Sequence, residues 1–121
     1  MPEHILTHLT PFGGECGKVI QMYVRDGPVV CTGNLYAKHY PLLKEYLENN
    51  GLEYELMQLT SKSLPKPTGP EYRVIGMGQY MKMDNDISVF DFSRDYSLAI
   101  DNDHIEKIRP QFPTLTITID F

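Results

Sequence analysis

The sequence predicts one α+β domain, in which two helices pack on a mostly antiparallel, mixed sheet of about six strands. Three observations support this prediction. Segments rich in β-branched and aromatic residues come in groups, rather than in strict strand–helix–strand alternation. Residues 40–50 and 102–109 have the apolar spacing and the end signals of helices. Residues 114–121 alternate apolar and polar side chains, which is typical of a strand with one buried face.

The composition is that of a folded globular protein, and it argues against several classes of function. With 121 residues, 41% hydrophobic and 22% charged, the chain fits a single domain spanning residues 1–121. The net charge of −5 argues against nucleic acid as the main partner, because the phosphate backbone requires clustered lysines and arginines. No stretch approaches the roughly 20 apolar residues of a membrane span, and the N-terminus lacks the features of a signal peptide. We therefore expect a cytoplasmic monomer that binds neither nucleic acid nor membranes.

A β-hairpin is predicted near the N-terminus. Residues 18–25 form the first clear strand, and Asp26-Gly27 is a tight-turn dipeptide after which the chain returns. A turn centred on this dipeptide would place Met22 opposite Cys31. Since Cys16 would then not face Cys31, we expect both cysteines to be free thiols, as in a reducing compartment.

The first helix has the clearest end signals in the chain. Pro41 suits the first helical position, and Asn50-Gly51 supplies a left-handed stop. A strand is predicted over residues 52–59. Residues 61–70 are predicted to be an exposed, mobile loop, because three prolines in six residues oppose both a helix and a central strand. We expect this loop to be the preferred site of limited proteolysis.

The second half of the chain is predicted to contain a strand pair and a helix. Residues 71–83 and 87–93 are the two strands, joined by a polar turn. Asp101 is the predicted cap of the second helix, and His104 is expected to face solvent. The helix positions predicted to face the core are Ile105 and Ile108.

His39 is the strongest candidate for chemistry, because it lies at the predicted start of the first helix. The first turn of a helix leaves backbone N–H groups unpaired and carries partial positive charge, so it can hold a phosphate or a carboxylate. A neutral imidazole there can accept a proton or attack phosphorus. On this local argument alone, a histidine at a helix start more often has no functional role. If it is a site residue, we expect it to be exposed.

Other candidate positions are weaker when taken singly. Lys18 opens the first strand, and a lone lysine is usually a solvated side chain. Gly76 and Gly78 lie inside an apolar strand, where glycine often marks a bulge or a close approach by another group. The polar turn at residues 93–97 follows a strand and could form an anion nest. No metal or cofactor is expected, because there is no Cys-x-x-Cys and the histidines are scattered.

Several short motifs together resemble one known family. Residues 89–119 contain VFDFS at a strand end, then EKI in a helix, then FPTL before a final strand. Upstream, KVIQMYV (residues 18–24) opens the first strand, Lys38-His39 begins a helix, and IGMG (residues 75–78) lies in a later strand. In the order of these motifs, the chain resembles the phosphohistidine phosphatase family, also called the Janus/Ocnus family.

The resemblance implies a fold, an activity and a set of site residues. The fold would be phosphohistidine-phosphatase-like, and the substrate would be a phosphorylated protein or a small phosphoramidate, hydrolysed without metal or cofactor. His39 falls on the active-site histidine and Lys18 on the lysine near the phosphate. Ser93 and the backbone N–H of Asp95 fall on phosphate-contacting groups, and the backbone N–H of Tyr40 would join them.

The chain also departs from the family pattern at its predicted site. Met77 replaces the middle glycine of the L-G-G-G motif, and Gln79 stands where an arginine usually follows. Asp91 stands where the family has glycine, close to a site intended for an anion. Two alternatives therefore remain: a binding module that kept the fold and lost catalysis, and an unrelated α+β interaction protein in which His39 is incidental.

Overall fold

The computed structural model describes residues 11–59, 62–68, 72–94 and 96–120, and it confirms the α+β class. A five-stranded mixed sheet is the centre of the fold. The elements, in chain order, are β1 (Cys16–Val24), β2 (Gly27–Gly33), α1 (His39–Asn49), β3 (Tyr54–Leu59), β4 (Lys62–Pro67), β5 (Tyr72–Met83), β6 (Asp86–Phe90), β7 (Phe92–Ser93), β8 (Leu98–Ala99), α2 (Asn102–Ile108), a 3₁₀ turn (Arg109–Gln111) and β9 (Thr116–Ile119).

The main sheet has the strand order β2-β1-β5-β6-β9. All its pairs are antiparallel except β6 with β9, which run parallel. Two small antiparallel sheets, β3–β4 and β7–β8, complete the strands of the described residues. No helix within the described ranges is long and apolar enough to cross a membrane.

The two helices cover opposite faces of the sheet, because side chains alternate along each strand. Ile20 and Met77 pack with the buried leucines of α1, in a cluster that we call the α1-side core. Val19 and Tyr80 lie on the other face and pack with the isoleucines of α2, in a cluster that we call the α2-side core. The remaining members of the α2-side core are Phe12, Val30, Ile87, Val89, Ile100, Ile105, Ile108 and Ile117.

The helix and final-strand predictions are confirmed. Helix α1 begins one residue before the predicted start, and Gly51 follows it with a φ of 65°, the left-handed conformation expected of the stop. The Asp101 side chain accepts a hydrogen bond from the His104 backbone N–H, which caps α2. In β9, Ile117 is buried while Thr116 and Thr118 are exposed. Local signals were therefore sufficient for these elements.

The hairpin register differs from the prediction by two residues. The turn residues are Arg25 and Asp26, with φ of 51° and 65°, and Gly27 pairs with Val24 in the strand. Two successive positive φ values are the conformation of a type I′ turn, whose twist matches that of the flanking strands. Cys31 consequently pairs with Ile20, and both cysteines are free thiols, as expected.

The prediction of a loop at residues 61–70 is wrong, because Lys62–Pro67 is strand β4. It pairs with β3 over its whole length, and Pro65 and Pro67 stand opposite Leu56 and Tyr54. Because these prolines are two residues apart, their backbone nitrogens lie on the same edge of β4. That edge can be the one that faces away from β3, where no hydrogen bond between strands is required. Pro65 is buried, and its carbonyl accepts a hydrogen bond from the Tyr96 hydroxyl.

The strand predicted over residues 87–93 is interrupted at Asp91. Strand β6 ends at Phe90, and Asp91 has a φ of 71°, which turns the chain before β7 begins. Alternation along one continuous strand would put Asp91 and Ser93 on the same face. The turn breaks that relation, and Asp91 is exposed while Ser93 is buried.

Candidate functional site

His39 is the first residue of α1, and the structure holds its ring in one orientation. The ring nitrogen Nε2 lies 2.8 Å from the carbonyl oxygen of Gly78 in β5. Because a carbonyl can only accept, Nε2 carries the hydrogen and Nδ1 carries the lone pair of the neutral ring. His39 is only 7% exposed, so the expectation of an exposed side chain is wrong. The two partners are 39 residues apart in the sequence, so the residues around His39 do not indicate this contact.

The first turn of α1 has no acidic side chain of its own to offset the positive end of the helix. Lys38 is the N-cap residue and makes no side-chain capping hydrogen bond. Pro41 has no N–H, so the first-turn donors are the backbone N–H groups of His39 and Tyr40. Tyr40 is half-buried at the second helical position. This geometry suits an anion beside His39.

Lys18 lies on the same face of the sheet as α1. It precedes the buried Ile20 by two residues, and it pairs in register with Gln79 of β5. Gln79 directly follows Gly78, the partner of His39. Lys18 and His39 therefore contact neighbouring positions of β5.

The Gln79 side chain connects this region to Asp91. Its Nε2 donates to Asp91 Oδ2 at 2.6 Å, and Asp91 Oδ1 accepts from the Phe92 backbone N–H at 2.9 Å. Both donors are neutral groups, so they orient the carboxylate without placing a positive charge beside it. The Asp91 carboxylate is therefore hydrogen-bonded to Gln79, the residue of β5 that pairs with Lys18.

Ser93 is buried, and its hydroxyl accepts a hydrogen bond within its own turn. The Tyr96 backbone N–H donates to Ser93 Oγ at 3.4 Å, a long hydrogen bond that closes the polar turn predicted at residues 93–97. In the part of the chain that the structure describes, Ser93 makes no hydrogen bond to His39 or Lys18. Asp95, the other predicted phosphate contact in this turn, lies outside the described residues.

Two cavities flank the β7–β8 pair rather than His39. The larger has a volume of about 540 Å³ and opens between the ends of β6 and β9. The smaller, of about 400 Å³, is lined by Phe92, Ser93, Arg94, Ser97, Leu98 and Ala99. Of the predicted site residues that the structure describes, Ser93 borders the smaller cavity, and His39, Lys18 and Tyr40 line neither.

A buried polar network under α2 was not anticipated from the sequence. His104 is fully buried, which corrects the expectation that it faces solvent. Its Nε2–H donates to the Met22 carbonyl at 2.8 Å, and Nδ1 lies 3.2 Å from Gln21 Nε2. Gln21 also bridges to Asp101, donating to its carbonyl at 3.0 Å and accepting from its N–H at 2.7 Å. The network ties β1 to the start of α2.

Gly76 and Gly78 were the sequence signal for these close approaches. A Cβ added at Gly76 would collide with Gln21 Oε1, and one at Gly78 would collide with Phe90 O and the Ile100 side chain. The register of β1 with β5 also shifts beside Gly76, between Gln21 and Met22. The expectation of a bulge or a close approach is confirmed, and the approaching groups belong to this chain.

The buried histidine predicts a measurable pH dependence. Burial lowers the pKa of His104 from its usual value of 6.5. The unfolded chain then binds a proton that the folded chain resists, so the free energy of unfolding falls as the pH drops below about 6.5. Urea denaturation at pH 7.5 and pH 5.5 should show a smaller acid loss for His104→Gln than for the wild type. Equal losses in the two proteins would contradict this account.

Cysteine and metal chemistry gain no support at the described positions. Burial raises the pKa of the Cys31 thiol to about 12, and Glu45 adds to the rise, so this thiol is a poor nucleophile. Within the described ranges, no three His, Cys, Asp or Glu side chains cluster as metal ligands would.

Comparisons with known proteins leave the family open. The sequence matches no protein-family model. No curated protein has significant similarity to it.

Proposed function

We propose that this protein is a metal-free phosphatase that acts on phosphohistidine or related phosphoramidates. The observation that carries the proposal is the 2.8 Å contact between His39 Nε2 and the Gly78 carbonyl. A base held by a third group, in one tautomer and at the positive end of a helix, has the arrangement that general-base and nucleophilic catalysis require. The resemblance to the phosphohistidine phosphatases points to the same residue.

In this proposal, His39 Nδ1 acts on the phosphoryl group in one of two ways. As a general base, it takes a proton from the attacking water while the P–N bond breaks and the leaving nitrogen gains a proton. As a phosphoryl acceptor, Nδ1 attacks phosphorus and forms a new P–N bond while the P–N bond of the substrate breaks and its nitrogen leaves with a proton from solvent. Water then hydrolyses the bond between His39 and the phosphoryl group, which releases phosphate. The backbone N–H groups of His39 and Tyr40, with the Lys18 ammonium, would hold the phosphoryl oxygens. Ser93 and Asp95 would complete the phosphate contacts, as the resemblance implies.

Replacing His39 with alanine tests the assignment directly. We expect the wild type to release phosphate from phosphohistidine or phospholysine with chelator present. His39→Ala should lower the rate by about 10²–10⁴-fold, the usual contribution of a positioned acid–base group. Because His39 is buried and hydrogen-bonded, the variant should also lose about 1–3 kcal/mol of stability, so rates are compared per folded protein.

A matched control separates lost chemistry from lost stability. His104→Gln removes the other described histidine, which is also buried but belongs to the network under α2. It should lower stability while leaving the rate per folded molecule near that of the wild type. Full activity of His39→Ala would refute the enzymatic assignment.

A second candidate function is favoured by Asp91, a carboxylate held next to the proposed phosphate site by Gln79. Repulsion between like charges would weaken anion binding, and the chain would then be a non-catalytic module that recognises a phosphorylated or other protein partner. Asp91 has a φ of 71°, a conformation that favours the glycine of the family pattern, so Asp91→Gly should be well tolerated.

For the second candidate, we expect Asp91→Gly to strengthen inorganic phosphate binding about fivefold in calorimetry, as removal of one exposed repulsive charge would. Asp84→Gly is the matched control, since Asp84 is also an exposed aspartate with a positive φ. Unchanged binding together with activity in both proteins would favour the phosphatase. If neither protein binds or hydrolyses phosphate, the chain is an interaction domain in which His39 is incidental.

A further inference from the structure

The larger cavity lies where two parallel strands end side by side. Strand β6 ends at Phe90 and β9 at Ile119, and Val89 pairs with Ile119. After Phe90, Asp91 has a positive φ, and the chain continues as β7 in the separate two-stranded sheet β7–β8. Crevices beyond the carboxyl ends of parallel strands are common ligand sites in open sheets. The volume of about 540 Å³ lies within the range of small-molecule pockets.

The lining of this cavity has a defined chemical character. Among the residues that the structure describes, the lining consists of five apolar side chains and two carboxylates, with no cationic group: Phe90, Asp91, Phe92, Ala99, Ile100, Ile119 and Asp120. Asp91 is held in place by the neutral donors Gln79 Nε2 and the Phe92 N–H, so its negative charge is not compensated there. Asp120 uses its backbone N–H in the sheet, bonded to the Val89 carbonyl, and its side chain is exposed.

We propose that this cavity binds a small organic cation, an ammonium group carried on an apolar or aromatic stem. The apolar walls would remove the stem from water. The carboxylates of Asp91 and Asp120 would accept charge-assisted hydrogen bonds from the ammonium group. Phe92, which is 50% exposed, offers an aromatic ring at the rim, and an ammonium group near its face gains a cation–π attraction. His39, Lys18 and Tyr40 do not line the cavity, so the proposal does not rest on the phosphatase reaction, and the cavity shares only Asp91 with the second candidate function.

Titration of ¹⁵N-labelled protein with 2-phenylethylammonium tests the proposal by NMR. Saturable shifts are expected at the backbone amides of the lining residues. The neutral analogue 2-phenylethanol has the same stem without the charge, and it should bind at least about fivefold more weakly. Raising the salt concentration should narrow this difference, because the carboxylates are near the surface.

Two charge-matched variants locate the interaction. Asp120→Asn should weaken binding of the amine about fivefold and leave binding of the alcohol unchanged. Asp84→Asn makes the same change of charge in the turn before β6, at the opposite end of that strand, and it should have no effect. The proposal is overturned if the lining amides show no saturable shift, if amine and alcohol bind equally, or if the two variants weaken the amine to the same extent.

Discussion

Replacing Gly78 with alanine is expected to destabilise the fold by about 3 kcal/mol or more, which corresponds to a fall in melting temperature of about 10 °C or more. The added methyl group would collide with the Phe90 carbonyl oxygen and with the Ile100 side chain. The carbonyl is backbone and cannot move without shifting the end of β6. Thermal unfolding followed by circular dichroism measures the effect.

The same substitution should also disturb the catalytic histidine of the proposed function. His39 donates to the Gly78 carbonyl, so a displaced strand would release the ring from its orientation. Gly27→Ala is the matched control, because its methyl group would lie 3.3 Å from the Val24 carbonyl and only slightly crowd it. We expect that control to cost at most about 1 kcal/mol. A Gly78→Ala protein as stable as the control would contradict the close approach.

Replacing Gln21 with leucine is the second change with a large expected effect. Gln21 is fully buried, and its amide provides a donor to His104 Nδ1 and to the Asp101 carbonyl, and an acceptor to the Asp101 N–H. Leucine has a similar volume but leaves these polar groups without their partner. Each buried unpaired group costs about 1–3 kcal/mol, so a total loss of about 3 kcal/mol or more is expected in urea denaturation.

An exposed glutamine provides the comparison for this prediction. Gln111 Nε2 donates a single hydrogen bond to the Pro28 carbonyl at the surface. Gln111→Leu should therefore change the free energy of unfolding by less than about 0.5 kcal/mol. Similar losses in the two variants would show that the Gln21 network contributes little to stability.

Elements with local signals could be predicted from the sequence. Helix α1 followed from Pro41 and the Asn50-Gly51 stop, and α2 followed from the Asp101 cap and its inward isoleucines. Strand β9 followed from its alternation. These signals depend only on residues within one or two helical turns or along one strand. They can therefore be recognised without knowing how the rest of the chain folds.

The candidate site was predicted only in outline. His39 at a helix start and Lys18 on the first strand followed from the sequence, whereas their contacts with the same segment of β5 are known only from the structure. The burial of His39 and the positive φ of Asp91 did not follow from the sequence. Both depend on how β5 and the β6–β7 turn pack against the rest of the fold.

The sequence by itself determined the α+β class, the two helices and the final strand, and Gly76 and Gly78 indicated a bulge or a close approach in β5. Only the tertiary structure decided that a proline-rich segment pairs as β4 and that His104 is buried. Each outcome depends on a partner distant in sequence. Pro65 is accommodated because β4 needs no hydrogen bond on its outer side, and His104 is satisfied by Gln21, 83 residues away. A local pattern reports what a segment prefers, whereas long-range pairing decides which of its polar groups are satisfied.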